Sequence, residues 1–273
     1  MTLKFDRTDL SLERQVRRLD LHDNWPTSAL DLADIEDGAQ DRIELVCNLY
    51  SNTTAVEAMR RLFDIDAGRD RLGNAEPRPA IFPKGAAPVV RLNDTGEREL
   101  VEMAWGFLTP AFSTKAGNPI KPKAWNNARD DKVLKSGLWK GSFQERRCLI
   151  PVSSFHESKG RQPATDYWFG LHAENPEDRP PFAVAGLWRI VQSELRSASS
   201  HELTHTMVTT EANDMIRPIH AKGRMPVILD PENYDAWLSG STDDALALLR
   251  PYPSTRMRII QNGVGLKADP LKE

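Results

Sequence analysis

The chain of 273 residues is poor in cysteine: Cys47 and Cys148 are the only two, 101 positions apart. Two cysteines cannot build a disulfide framework. No Cys-x-x-Cys or His-Glu-x-x-His spacing is present either, so no metal is expected. No Gly-rich phosphate loop occurs, and no apolar run approaches the roughly 18 residues that a membrane-spanning helix needs. The first twenty residues carry Asp6, Asp9, Arg14, Arg17 and Arg18 with no apolar stretch between them, so no secretory signal is expected. Together these absences predict a cytoplasmic protein with reduced thiols and no membrane partner.

A strong charge of either sign is also missing. The net charge is −3, but residues 1–45 hold eleven Asp/Glu against six Lys/Arg, a local balance of −5 that leaves about +2 for residues 46–273. The larger part is mildly basic, enough to hold phosphates locally without a strong global field, so charge alone does not select the partner.

What is present is a globular composition, 40% hydrophobic and 27% charged. Residues 1–45 show helical spacing at Leu10, Leu12, Val16 and Leu19 and then an acidic stretch from Asp31 to Asp37. They read as an appendage rather than a catalytic domain. Thr54 and Glu57 have capping-box spacing, and Val56, Met59, Leu62 and Phe63 share one helical face, which predicts a helix soon after Cys47. Strands are predicted around Ile81 and Pro88 to Leu92, and over Glu99 to Trp105, Cys148 to Val152, Tyr167 to Leu171, Phe182 to Ile190, Thr204 to Thr210 and Met225 to Leu229. Gly106 to Lys123 reads as a loop, Trp125 to Asp131 as too polar for a core strand, and Glu211 to Ile216 as helical. Pro231 to Leu238 and Asp243 to Leu249 read as terminal helices. Strands outnumber helices, and the connections are too short for parallel crossovers, so the fold class is α+β with antiparallel, barrel-like sheet and peripheral helices.

Four polar clusters fall at strand ends or in loops, where scaffolds present functional groups: Cys47-Asn48, Asn127 with Arg129, Glu157, and His220. Each alone has an ordinary explanation. A single Cys is commonly a small buried apolar residue, Asn127 a turn former, Arg129 a surface ion-pair partner, Glu157 a solvated residue and His220 a structural histidine.

Their order carries more. Cys47-Asn48-Leu49-Tyr50, Trp105-Gly106, Asn127-Ala128-Arg129, Arg147-Cys148-Leu149-Ile150-Pro151 with Phe155-His156-Glu157, Ala185-Gly186-Leu187-Trp188, and Thr209 to Asn213 with Ile219-His220 and Met225 to Leu229 follow one another as in the SOS response-associated peptidase (SRAP) family. The chain resembles that family from Cys47 to about Leu238.

The resemblance implies an abasic-site sensor of single-stranded DNA in the DNA-damage (SOS) response, a monomer that is nucleoid-associated during repair. It implies that Cys47, once N-terminal, forms a covalent crosslink with the ring-opened aldehyde of an abasic site, with peptidase-class autoproteolysis and a lyase-type reversal alongside. The chemistry so implied requires no cofactor. An α-amine with a pKa near ~8 is partly free nucleophile at neutral pH, and the adjacent thiol can close a five-membered thiazolidine. In the same way Glu157 takes the role of proton carrier, His220 that of partner to the sugar oxygen, and Asn127 that of orienting group. Asn48 and Arg129 take contacts to DNA, and Trp105 and Pro83 are assigned to stack on bases. Trp188 and Cys148 are expected in the core. His156 is expected to couple to Glu157, and the four residues Ala221 to Arg224 are expected to hold His220 loosely.

Three domain segments are expected: 1–45 as an acidic extension, 46–250 as the SRAP-like domain and 251–273 as a tail. Val46 stands where the family has its initiator Met. A GUG start at that codon, or self-cleavage before Cys47, would expose the cysteine. Two other functions fit the same residues: a cysteine hydrolase acting in trans through Cys47, His220 and Asn127, and a non-covalent single-strand binding module.

Overall fold

A five-strand ring forms the centre of the molecule, held closed by backbone hydrogen bonds. The computed structural model describes residues 48–112, 117–160, 163–199 and 201–269. Cys47 and the expected extension 1–45 lie outside these residues. The strands in chain order are β1 (Tyr50–Asn52), β2 (Arg78–Ile81), β3 (Ala86–Leu92), β4 (Arg98–Trp105), β5 (Phe107–Phe112), β6 (Pro119–Trp125), β7 (Asn127–Arg129), β8 (Arg147–Val152), β9 (Ser154–Lys159), β10 (Thr165–Leu171), β11 (Phe182–Ile190), β12 (Leu203–Glu211), β13 (Arg224–Pro226), β14 (Ile228–Leu229) and β15 (Met257–Gly263). The helices are α1 (Val56–Leu62), α2 (Lys140–Glu145), α3 (Tyr234–Ser239) and α4 (Thr242–Ala247).

The ring runs β12-β4-β3-β8-β11 and back to β12, with β13, β14 and β7 added to its margins. Every step is antiparallel except β4 to β12. A second sheet has the order β15-β10-β9-β1-β2, and β5 and β6 form a separate hairpin.

The apolar runs explain the ring. All six residues of β8 are buried, as are the first seven of β11, and continuous burial is the mark of a strand covered on both faces. One face, with Val90, Leu100, Leu149, Leu187 and Val208, packs on Met59, Phe143, Tyr234 and Trp237 from the helices. The other joins Trp105, Ile150 and Met207 to Tyr50, Phe155 and Phe169 of the second sheet. Cys148 and Trp188 lie in a smaller cluster on that side, and burial pushes the Cys148 thiol far up, which leaves it inert.

Several expectations change. Thr54 does not cap α1: its hydroxyl contacts Ser153 Oγ at 3.2 Å, and Ala55 occupies the cap position with no side-chain bond. The predicted loop from Gly106 to Lys123 contains the β5–β6 hairpin, whose outer half is exposed and therefore lacks an apolar alternation. Gly106 makes the turn into it at φ +125°, where a Cβ would stand 2.9 Å from Ala124 Cβ. Polar Asn127–Arg129 is a strand after all, because it pairs with buried β12. Polar Ser154 to Glu157 is buried strand because β9 lies between β1 and β10. Residues 214–219 form successive turns rather than a helix, and the predicted strand at Met225 to Leu229 is split at Val227, whose amide bonds Val208 O at 2.9 Å. The expected tail holds β15, an edge strand with only one buried residue and so little pattern to read.

Behind β1 the two main sheets meet at three rings. Tyr50 meets Trp105 edge to face at 4.8 Å, Trp105 stacks on His205 at 6.5 Å, and Tyr50 Oη lies 3.4 Å from His205 Nε2. Burial pulls the His205 pKa down to about 3, against a weaker opposing pull from the Met103 backbone. The unfolded chain takes up a proton near pH ~6.5 and the folded chain does not, so stability falls as pH drops below that value. By pH 5 the loss attributable to His205 is on the order of 2 kcal/mol. Urea unfolding at pH 7 and pH 5 should therefore show a steeper loss for the native protein than for His205→Gln, and equal slopes would remove His205 as the cause.

Candidate active site

Pairing between β1 and β9 brings the first cluster to the second. Tyr50 lies opposite Phe155, Ser51 lies opposite Ser154, and the His156 amide donates to Leu49 O at 2.9 Å. One step further along this antiparallel register, Asn48, the residue after Cys47, reaches the level of Glu157.

Glu157 is 3% exposed although it sits in a polar stretch of sequence. Strand alternation sends it and His156 to opposite faces of β9. His156 therefore does not couple to Glu157. Its Nε2 is 2.9 Å from Asp166 Oδ1 and its ring meets Trp168 edge to face at 5.5 Å. Burial lowers the His156 pKa more than the Asp166 carboxylate raises it.

Facing Glu157 is His220, with Nε2 at 3.7 Å from Glu157 Oε2 and 3% residue exposure. The loop after it is not loose. Its Nδ1 accepts the Lys222 amide at 3.0 Å and the Arg224 amide at 3.2 Å, while Gly223 turns the chain at φ +59° and donates to His220 O at 2.9 Å. Two donors on Nδ1 place the ring proton on Nε2, toward the carboxylate. Arg224 is itself fixed: it bonds Asp130 Oδ1 at 2.6 Å, and Thr210 Oγ1 bonds the other Asp130 oxygen at 2.7 Å.

The third cluster joins through a residue that sequence reading missed. Asn126 Nδ2 donates to Asn48 Oδ1 at 2.6 Å, and Asn126 O accepts from Trp105 Nε1 at 2.8 Å and the Met207 amide at 3.0 Å. Its adjacency to Asn127 was the only signal in the sequence. Asn127 opens β7 opposite Met207, and Arg129, two positions on, is exposed and paired to Asp131 at 2.9 and 3.0 Å. That ion pair helps to hold the Asp131 carboxyl below its usual range.

Trp105 departs from its expected role. It is fully buried, occupied by Tyr50, His205 and Asn126, and so is a support for the site with no face left for a base. Pro83 sits in the turn Phe82–Gly85, which is tied to Trp105 by Lys84 N to Trp105 O at 2.6 Å and Trp105 N to Gly85 O at 2.9 Å. Among the described residues the most exposed aromatic side chains are Phe82, 48% exposed, and Phe112 at the end of β5, 58% exposed. Lys84 is held at φ +71°, a left-handed conformation unusual for a side-chain-bearing residue.

The structure thus brings Asn48, Glu157 and His220 together, with Asn127 attached through Asn126. Arg129 and Pro83 stand outside this group, and Trp105 lies beneath it. Among the described residues no cluster of His, Cys, Asp and Glu is arranged to hold a metal, and no helix is long and apolar enough to cross a membrane.

Residues 46–265 match the family described as SOS response associated peptidase (SRAP). The abasic site processing protein YoqW of Bacillus subtilis is 30% identical over 175 residues, 62% of this chain and 72% of that protein. Its relative YoaM, also named an abasic site processing protein, is 27% identical over 224 residues, 79% of this chain and 90% of that one. The chicken abasic site processing protein HMCES is 28% identical over 206 residues, 66% and 60% of the two chains. Among solved structures, a Bordetella bronchiseptica protein superposes with a TM-score of 0.60 at 25% identity, covering 80% of this chain and 99% of its own. With the match spanning most of its length, the chain belongs to the SRAP family.

Proposed function

We propose that this protein processes abasic sites in single-stranded DNA by forming a covalent crosslink through Cys47 as the N-terminal residue. The observation that carries this reading is the buried Glu157–His220 pair at 3.7 Å, at the level of the residue that follows Cys47.

In the proposed reaction the α-amine of Cys47 adds to the C1′ aldehyde of the ring-opened sugar, giving a carbinolamine. Loss of one water, with a proton delivered to the leaving hydroxyl, gives the imine. The thiol then adds to the imine carbon and its proton passes to nitrogen, closing the thiazolidine. Glu157 is the carrier of these protons. Its burial keeps them from bulk water, and a positioned proton carrier contributes typically ~10²–10⁴-fold. His220 presents Nε2–H toward the carboxylate and the sugar oxygen, and Asn127 orients the linkage. Arg129 exchanges Asp131 for a backbone phosphate, since both offer two oxygens to the guanidinium fork. Base stacking passes from Trp105 to Phe82, with Pro83 beside it. Removal or non-synthesis of residues 1–46 belongs to the same proposal, because an amide nitrogen at Cys47 cannot form the imine.

The test is intact-mass and N-terminal analysis of protein from its own host, before and after mixing with single-stranded DNA bearing one abasic site. The expected product begins at Cys47 and gains the mass of the DNA; a chain that retains residues 1–46 and gains nothing overturns the proposal. Cys47→Ala, which keeps an α-amine but loses the thiol, should form no thiazolidine and only an imine that hydrolyses unless borohydride traps it, with DNA affinity kept. Glu157→Gln should slow adduct formation about 100-fold or more at unchanged affinity.

Lys84 supplies a second prediction. Its left-handed backbone costs roughly 1–2 kcal/mol, which glycine avoids, less about 0.4–1 kcal/mol of extra unfolded-state freedom. Lys84→Gly should therefore melt no lower than the native protein and yet bind single-stranded DNA more weakly. Lys84 is exposed next to Pro83 and near Phe82. With one backbone phosphate assigned to it in the proposed complex, the slope of log K against log salt should fall by about 0.7 when it is lost. An unchanged salt slope would remove Lys84 from the DNA interface.

A further inference from the structure

The segment Leu266–Asp269 crosses the whole of the second sheet, and it touches every strand in it. Leu266 O accepts from Trp168 Nε1 of β10 at 3.0 Å, and its amide donates to Asp166 Oδ2 of β10 at 3.0 Å. Lys267 Nζ lies 2.6 Å from Asp166 Oδ1, the oxygen that also meets His156 of β9. Ala268 O accepts from Gln261 of β15 at 3.1 Å. The Asp269 amide donates to Pro79 O of β2 at 2.9 Å, and the Asp269 side chain ends between β1 and β9.

That last contact has the most specific chemistry. Asp269, Ser51 and Ser154 are each fully buried. Ser154 Oγ lies 2.6 Å from Asp269 Oδ2, Ser51 Oγ lies 2.7 Å from Ser154 Oγ, and Ser51 Oγ lies 3.1 Å from the same carboxylate oxygen. Two hydroxyl protons cannot serve three contacts, so the two shortest define a chain from Ser51 to Ser154 to Asp269. Arg179 Nε at 3.3 Å from Oδ1 balances the buried charge. A core pairing of two strands would ordinarily be filled with apolar side chains. Here a charged group with a desolvation cost is used instead, and its partners are the two residues that face each other across the β1–β9 register.

We infer that Asp269 is a positioning residue for the reaction: through Ser154 and Ser51 it locks β1 to β9, and so sets Asn48, with Cys47 before it, against Glu157. This rests on the function proposed above. The lock is made away from the reacting atoms, so it acts on geometry and not on the proton transfers.

The experiment compares native protein from its own host with Asp269→Asn and the milder Ser154→Ala, which leaves the carboxylate and Arg179 in place. Leu238→Ala, in the helix-covered core, serves as a control of lowered stability. Three quantities are read: the single-turnover rate of adduct formation, the affinity for an oligonucleotide carrying an unreactive tetrahydrofuran abasic analogue, and hydrogen exchange of the Ser153 and His156 amides, which bond to Ser51 O and Leu49 O at 2.9 Å. Asp269→Asn should slow the adduct roughly 10-fold or more, leave analogue affinity within about 2-fold, and speed exchange at those two amides but not in the ring. Ser154→Ala should act in the same direction, and the double variant should be less than additive, because both remove one chain of bonds. Leu238→Ala should lower stability without separating rate from affinity.

Unchanged exchange at Ser153 and His156 overturns the lock. Faster exchange with an unchanged adduct rate overturns its role in the reaction. If the native protein forms no adduct at all, the function proposed above fails, and the exchange result alone then upholds or overturns the lock.

Discussion

The pairing of β1 with β9 is the constraint on which the site depends. β1 is only three residues long, yet it carries the start of the domain into contact with the strand that bears Glu157. So short a strand is not stable by itself. Tyr50 anchors it from one side by its contact with Trp105, and Asp269 anchors it from the other through Ser154 and Ser51. The ring of strands and the cross-sheet segment thus converge on three residues.

The chemistry follows from enclosure. Glu157 and His220 are both removed from solvent and face each other, and the His220 ring is held by the Lys222 and Arg224 backbone amides. Backbone donors to Nδ1 fix both the tautomer and the direction of the ring, so in the proposed reaction the pair is already oriented before substrate binds. Arg129 is the opposite case. It is exposed and its Asp131 partner is equally exposed, so the proposed exchange of that carboxylate for a phosphate would cost little. The buried groups are suited to proton transfer and the exposed ones to binding a charged strand.

Support for the site is layered. Trp105 holds Asn126, which holds Asn48. Asp130 and Thr209 hold Arg224, whose amide holds His220. Of these, Asn126 and Asp130 carry no distinctive sequence pattern, since Asn126 sits in a polar run and Asp130 in an acidic pair.

The sequence by itself determined the apolar strands β8 and β11, the α+β class and the identity of the polar clusters, because continuous burial and ordered motifs are local properties of the chain. Only the tertiary structure decided which polar stretches were strands. Asn127–Arg129 and Ser154–Lys159 pair with buried neighbours, and hydrogen bonds to a partner leave no mark on the sequence of the segment that forms them. It also decided direction: adjacent His156 and Glu157 look alike in sequence, but the pleat sends one to Asp166 and the other to His220. Trp105 could have faced solvent or core, and its neighbours placed it in the core. Residues 251–273 read as a tail because β15 is an edge strand with one buried residue and residues 266–269 are held by single polar bonds to distant strands, which exist only once the sheet has formed.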